Sequence, residues 1–277
     1  MHAFSFRQVD VFTARPGYGN ALAVVHNAAG LSDAEMARFA NWTNLSETVF
    51  LLPAGPGADY RLRIFTPAAE LPFAGHPTLG ACHAWLEAGG VPRGSEIVQD
   101  CAAGLIRIRR DGPRLAFAAP PLAQSGVSAT ERAQIATILG IAATEILAAR
   151  HLSALAPRWT GVLLRDRETV LALRPDFRAM HAANLEIGAI APWPGGGADF
   201  EVRGFAPELG VGEDPVTGSL NAGLARWLIP AGLAPEAYTV SQGTVLGREG
   251  RIHVARDGAD FWIGGESVTV ITGAARL

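Results

Sequence analysis

The chain repeats itself. Asp59-Tyr-Arg-Leu-Arg-Ile-Phe-Thr-Pro67 returns as Asp199-Phe-Glu-Val-Arg-Gly-Phe-Ala-Pro207, in step at an offset of 140. Trp85-Leu86 and Trp227-Leu228 match at 142, as do Val98-Gln99 and Val240-Ser241, and Asn44-Leu45 pairs with Asn184-Leu185 at 140. A period near half of a 277-residue chain implies two similar domains rather than a solenoid of short units. The break is expected at Ala119-Pro120-Pro121, giving halves 1–120 and 121–277, with the last strand able to return to the first half.

Each copy leads into a turn and a helix of unusual composition. The first runs through Gly75-His76-Pro77-Thr78, and Pro77 to Leu86 contains no Asp, Glu, Lys or Arg. Pro77 suits the start of a helix, where its missing N–H would be unpaired anyway. The second runs from Gly212-Glu-Asp-Pro-Val-Thr-Gly-Ser219 to Leu228 and carries little charge. A helix apolar on nearly every face is a buried one. Its N-terminus, with free N–H groups and the positive end of the dipole, is then a partly buried anion site.

Around these helices the pattern predicts short strands. In the first half they fall at 4–13, 21–26, 48–52, 59–66, 96–100, 104–110 and 114–118. In the second they fall at 145–147, 158–164, 169–173, 187–190 and 199–205, with a run of short strands over 238–271. Two further helices carry capping boxes, Ser32 with Glu35 and Ser128 with Glu131, and a short helix spans 176–183. Many short strands with one buried helix per half exclude a parallel α/β sheet. A curled sheet wrapped around its helix, twice over, is the expectation.

Composition excludes several function classes. A net charge of −3 gives no electrostatic reason to expect nucleic acid or an acidic membrane as partner. No apolar run approaches the ~18 residues that span a bilayer, and the N-terminus shows no signal-peptide pattern. Cys82 and Cys101 are too few for a disulfide framework. The default is a cytoplasmic protein. No histidine pair shows metal-ligand spacing, no Walker loop or dinucleotide fingerprint is present, and Gly195-Gly-Gly197 opens no helix. No metal and no cofactor are expected.

If the two halves bring their helix N-termini to one interdomain cleft, the turn residues Gly75, His76 and Thr78 meet Asp214, Thr217, Gly218 and Ser219 around a small anion. The alternative is that these glycines only make tight turns. Glu47, in Asn44-Leu-Ser-Glu-Thr-Val-Phe50, precedes an apolar strand, and at offset 140 its counterpart is Ile187, so the architecture is expected to need no carboxylate there. A carboxyl in apolar surroundings has a raised pKa, as a general acid/base near neutral pH requires; the alternative is a surface Glu at a strand start. The helix dipole is expected to favour neutral His76. Asp214 reads equally as an ordinary helix cap.

Gly19-Asn20-Ala-Leu-Ala-Val24, Asn44-Leu-Ser-Glu-Thr48, Phe65-Thr-Pro67, Leu71-Pro-Phe-Ala-Gly-His-Pro-Thr-Leu-Gly80 and Glu213-Asp-Pro-Val-Thr-Gly-Ser219 together resemble the PhzF-like isomerases of phenazine biosynthesis. The resemblance runs from about residue 5 to the end. It implies an α+β, diaminopimelate epimerase-like fold of two pseudo-symmetric halves, each a curled, mostly antiparallel sheet around a central buried helix, with the site between them. It also implies a cofactor-independent proton shift on a small carboxylate substrate, with Glu47 as proton carrier assisted by His76 and Asp214. Asn20, Ser46, Gly75, Thr78, Thr217, Gly218 and Ser219 would bind substrate, and the protein would be a homodimer. Epimerases of this fold use two thiols, but the corresponding positions here are Ala74 and Thr217, which excludes that chemistry. The family often carries Pro after Gly-Asn and His after the Gly-Ser-Ala of the second turn. Here those positions are Ala21 and Asn221, so the substrate pocket is expected to differ. Competing functions are an epimerase pairing Glu47 with Asp214 or His76, and a non-catalytic carboxylate-binding protein.

Overall fold

The computed structural model describes residues 2–153, 158–207 and 211–277. They fall into two compact units, Met1–Ala118 with Trp262–Leu277, and Ala119–Phe261.

The first unit opens with β1 (Ala3–Val11) and β2 (Asn20–Val25), then α1 (Asp33–Thr43), β3 (Glu47–Leu52), β4 (Tyr60–Phe65) and the short β5 (Glu70–Leu71). The central helix α2 (Gly75–Glu87) follows, then β6 (Ile97–Cys101), β7 (Gly104–Asp111) and β8 (Arg114–Ala118). Strands β1 and β2 are antiparallel, β2 and β3 parallel, β3 and β4 antiparallel, β4 and β6 parallel, and β6 and β7 antiparallel.

The second unit contains β9 (Ala123–Gly126), α3 (Ala129–Leu139), β10 (Ile146–Ser153), β11 (Arg158–Leu164), α4 (Arg167–Ala172), α5 (Phe177–Ala182) and β12 (Glu186–Pro192). It continues through β13 (Phe200–Ala206), β14 (Val211–Asp214), the central helix α6 (Gly218–Leu228), β15 (Ala237–Gln242) and β16 (Gly250–Asp257). From β10 to β16 the same sequence of pairings recurs: antiparallel, parallel, antiparallel, parallel, antiparallel. The chain then enters β17 (Asp260–Gly265), which pairs with β8, and β18 (Ser267–Arg276), which pairs with β1 in the first unit.

Each sheet has two covered faces. In the first unit one face carries α1, where Met36 and Phe39 pack with Val25, Phe50 and Phe65. The other face curls round α2, which packs on β1, β2, β3, β4, β8 and β18. In the second unit Ile138, Leu139, Val170 and Met180 pack with Val162, Ile187 and Phe205 on one face. There α6 lies against β10, β11 and β16. This is the α+β, epimerase-like arrangement expected from the sequence.

Three local readings change. The apolar run 169–173 is helix α4, not a strand, because Asp166 caps it by accepting from the N–H of Thr169 at 2.9 Å. Strands β5 and β14 carry no alternating apolar pattern and were not expected. Nor was β9, whose four residues are all exposed.

Candidate active site

The first unit brings four of the expected residues together. Asn20 opens β2, and the turn before it is tight: Asp10 Oδ2 accepts from the N–H groups of Gly17 and Gly19 at 2.7 and 3.1 Å. A Cβ on Gly19 would collide with the Val11 carbonyl, so only glycine lets the chain pass there. Ser46 donates to Asn20 Oδ1 at 3.3 Å, and Asn20 Nδ2 lies 3.4 Å from His76 Nδ1. His76 is the second residue of α2 and 4% exposed. Glu47 opens β3, is 9% exposed, and places Oε2 3.5 Å from His76 Nδ1. Asn44 takes the left-handed conformation, φ 53°, to turn the chain from α1 toward Glu47.

Burial lowers the His76 pKa from 6.5 to about 3. Desolvation is the largest cause, where the helix dipole alone had been the expectation. The ring is therefore neutral near pH 7, and its contact with Glu47 is not an ion pair. Two tautomers fit. With Nδ1 protonated, the ring donates toward a Glu47 carboxylate. With Nε2 protonated, Nδ1 accepts from Asn20 and a protonated Glu47 faces it. Among the described residues His76 Nε2 has no hydrogen-bond partner.

Thr78 stands differently. Its hydroxyl donates to the Ala74 carbonyl at 2.9 Å, accepts from Gln99 Nε2 at 3.1 Å, and is fully buried. It braces the first turn of α2.

The second unit gathers the other group. Asp214 ends β14, and its Oδ2 accepts from the Thr217 hydroxyl at 2.7 Å. Thr217 is the N-cap residue of α6, so Asp214 is not the cap but holds the residue that is. Gln242 completes the brace: Oε1 accepts from the Thr217 N–H at 3.0 Å and Nε2 donates to the Thr217 hydroxyl at 2.8 Å. Gly218 and Ser219 open the helix, where N–H groups lack intrahelical acceptors. The Ser219 hydroxyl accepts from the Trp159 indole at 3.1 Å, which turns its own proton away from Trp159.

The ends of β5 and β14 are fixed by a repeated ion pair. Arg63 grips Glu70 through Nε and Nη2, both at 2.7 Å, and Arg203 grips Glu213 at 2.9 and 2.7 Å. Both arginines lie in the repeated sequence, which was the available signal for them. Trp159 and Gln242 carried none. Ala74 and Thr217 are the N-cap residues of the two central helices, and Cys82 and Cys101 are buried elsewhere. Among the described residues no group of three or more His, Cys, Asp or Glu is placed to hold a metal, and no helix is long and apolar enough to cross a membrane.

The fold is that of the epimerase-like α+β proteins. A hydroxyproline epimerase from Agrobacterium vitis shares the fold at TM-score 0.64 and 16% identity, covering 98% of this chain and 92% of that one. A crystal structure of a PhzF-family phenazine biosynthesis protein from Enterococcus faecalis matches at TM-score 0.82 and 26% identity, over 100% of both chains. The model of the family described as "Phenazine biosynthesis-like protein" matches residues 9–273, and the chain belongs to that family. Among its relatives, Antisense-enhancing sequence 1 of Schizosaccharomyces pombe is 36% identical, with 99% of each chain covered. The trans-2,3-dihydro-3-hydroxyanthranilate isomerase of Pseudomonas aeruginosa is 31% identical, covering 95% of this chain and 92% of the relative. The protein is an enzyme of this isomerase family.

Proposed function

We propose that the protein is a cofactor-independent isomerase that moves a proton on a small carboxylate-bearing substrate, with Glu47 as the proton carrier. The observation that carries this is the Glu47–His76 contact: a buried carboxyl 3.5 Å from an imidazole that burial keeps neutral. General acid/base catalysis needs a group that changes protonation state without disrupting its setting, and the two tautomers of His76 supply that. Asn20 and Ser46 hold the ring in place. In the first unit Gly75, and in the second Gly218 and Ser219, offer N–H donors for a carboxylate, and Asp214 is the assisting acid of the second unit. Thr78 and Thr217 brace the two helix starts on which those donors sit.

Support for this reading comes from the family and from the 31% identical relative, whose name gives its substrate as trans-2,3-dihydro-3-hydroxyanthranilate. That compound is the first to test. Incubation in D2O should place solvent deuterium on carbon in the wild-type reaction, whereas a binding protein would release the compound unlabelled. Ala21 and Asn221 stand where the family often has Pro and His, so a different small carboxylate substrate is compatible with the reading.

The same reading makes the enzyme a cytoplasmic homodimer. The first unit offers a groove lined by Phe6, Phe39, Trp42, Leu45 and Ala275 together with Gln8, Thr43 and Arg276, and Trp42 is 78% exposed. The β18 strand adds Val270 and Ile271, both about half exposed. A second copy of the chain covering this face accounts for the exposure.

A further inference from the structure

The loop that delivers Asn20 is held more firmly than a connection between two strands requires. It leaves β1 through Phe12, which is fully buried and takes φ 65°, a left-handed conformation that aromatic residues rarely enter. The other non-glycine residues with positive φ among those described are asparagines, which tolerate it. Such backbone persists only where its surroundings fix it, and it gathers at functional sites. Both ends of this loop are tied within the first unit. At its start the Thr13 N–H donates to the Glu266 carbonyl at 3.1 Å. At its end Asp10 Oδ2 accepts from Gly17 and Gly19. Gly19 passes so close to β1 that a Cβ there would lie 2.8 Å from Asp10 Oδ1. Asp10 is 3% exposed, and its Oδ1 has no hydrogen-bond partner among the described residues. A buried carboxyl with one oxygen unpaired is costly to keep.

Strand register shows that the sheet is built without this carboxylate in its other copy. In the first unit Gln8, Ala23, Thr48 and Phe65 lie side by side across β1, β2, β3 and β4. In the second His151, Thr160, Ile187 and Phe205 do so across β10, β11, β12 and β13. Phe65 and Phe205 are equivalent in the sequence repeat, so the two rows correspond. Ile187 is then the counterpart of Thr48, and Glu47 matches Glu186. The expectation that Ile187 is the counterpart of Glu47 is wrong by one residue. Two residues beyond the row, Asp10 of β1 matches Ser153 of β10. A half-buried serine thus stands in the second unit where the first keeps a buried carboxylate.

The carboxylate serves the residue at the end of the loop. Asn20 follows Gly19 directly, so the N–H that Asp10 holds is one residue from the Asn20 side chain. The two ends of that side chain meet Ser46 and His76, at 3.3 and 3.4 Å, and His76 Nδ1 lies 3.5 Å from Glu47. At these lengths a shift of a few tenths of an ångström at Asn20 takes the contacts beyond hydrogen-bond range.

We propose that Asp10 is a positioning residue for the proton transfer. It holds the end of the loop against β1, so that Asn20 fixes the His76 ring and the ring fixes Glu47. Asp10 itself touches no substrate in this scheme. Its effect on rate rests on the proton-transfer reading above, whereas its hold on His76 does not.

Two measurements on the full chain test this, and the first needs no substrate. Isotope-labelled histidine reports the His76 ring by NMR near pH 7, its signals identified by their loss in His76→Gln. Asp10→Ser, the residue type of the second unit, should shift and broaden those signals. Asp10→Asn keeps an acceptor for the two N–H groups but no charge, and should move them less. The second measurement is turnover of trans-2,3-dihydro-3-hydroxyanthranilate. Asp10→Ser should lower kcat by about 10² at nearly unchanged KM, the loss that a misplacement of about 1 Å produces. Asp10→Asn should recover part of that rate. A brace for the loop alone would lower the melting temperature and leave kcat and the His76 signals as in wild type. Wild-type ring signals or wild-type kcat in Asp10→Ser, or a loss confined to KM, overturns the proposal. If Asp10→Ser does not fold, Asp10→Asn decides by the same criteria. If wild type does not turn the compound over, the proton-transfer reading falls and the ring signals decide alone: moved signals uphold the hold of Asp10 on His76, and unmoved signals overturn it.

Discussion

Removing Glu213 should cost far more stability than removing Glu70, although the two make the same bidentate contact at equivalent places in the fold. The Arg203 and Glu213 side chains are 4% and 9% exposed. Taking away one partner of such a pair leaves a buried charge, a loss of about 3–5 kcal/mol. Among the described residues Arg203 keeps the carbonyls of Val170, Leu171 and Leu173, at 3.1, 3.4 and 3.0 Å, and the Phe205 ring, none of which carries a charge. The Arg63 and Glu70 side chains are 20% and 36% exposed, and Arg63 retains Asp33 at 2.6 Å when Glu70 is gone. Solvent screening and the spare partner limit that loss to about 0–1 kcal/mol. Urea unfolding followed by tryptophan fluorescence and circular dichroism measures both variants. Glu213→Ala should also weaken carboxylate binding, because Glu213 fixes the strand that ends in Asp214. Equal losses for the two variants, both under about 1 kcal/mol, would refute the claim that burial sets the worth of these pairs.

The remaining predictions concern the histidines, Trp159 and the assembly. His76 and His26 have folded pKa values of about 3 and about 4, both lowered from 6.5 mainly by burial. The unfolded chain then binds protons that the native state refuses, so stability is complete above about pH 6.5 and is lost as the pH falls toward 4 and then 3. Urea midpoints between pH 7 and 4.5 should show this slope, and His26→Gln should flatten it. The His76 ring should show no titration by NMR between pH 5 and 9. Trp159→Phe removes the donor that orients Ser219, and substrate KM should rise while the melting temperature moves little. A single hydrogen bond of this kind is worth about 0.5–1.5 kcal/mol, or roughly 2- to 13-fold. Light scattering should give twice the 29.1 kDa chain mass, and Trp42→Glu should shift it toward the single-chain value.

The duplication was legible because Asp59–Pro67 and Asp199–Pro207 sit in β4 and β13, where the copies keep their register. The central helices were legible from their lack of charge. Other features lay where the copies drift apart. The offset is 140 at Phe65 and Phe205, 139 at Glu47 and Glu186, and 143 at Gly75 and Gly218. A single offset therefore set Glu47 against Ile187 and hid Glu186. The residues that brace the helix starts, Gln99 and Gln242, act through hydrogen bonds reaching more than twenty positions along the chain, and no local pattern announces them. Helix α4 was missed because Val170-Leu-Ala-Leu173 fits strand and helix equally, and the deciding contact is the Asp166 cap. Asn20, Ser46, Glu47 and His76 were named from motifs far apart in the chain. Their proximity follows from β2 and β3 running parallel, with α2 laid across them.

Glu47 is the centre of the account, and its substitution tests it most directly. Glu47→Gln keeps size and hydrogen bonding but cannot accept a proton. The measurement is deuterium incorporation from D2O into trans-2,3-dihydro-3-hydroxyanthranilate, wild type against Glu47→Gln, with binding of the compound checked by calorimetry. The account predicts a rate lower by about 10²–10⁴ at nearly equal affinity. Equal rates in the two proteins would contradict it and remove Glu47 from the chemistry.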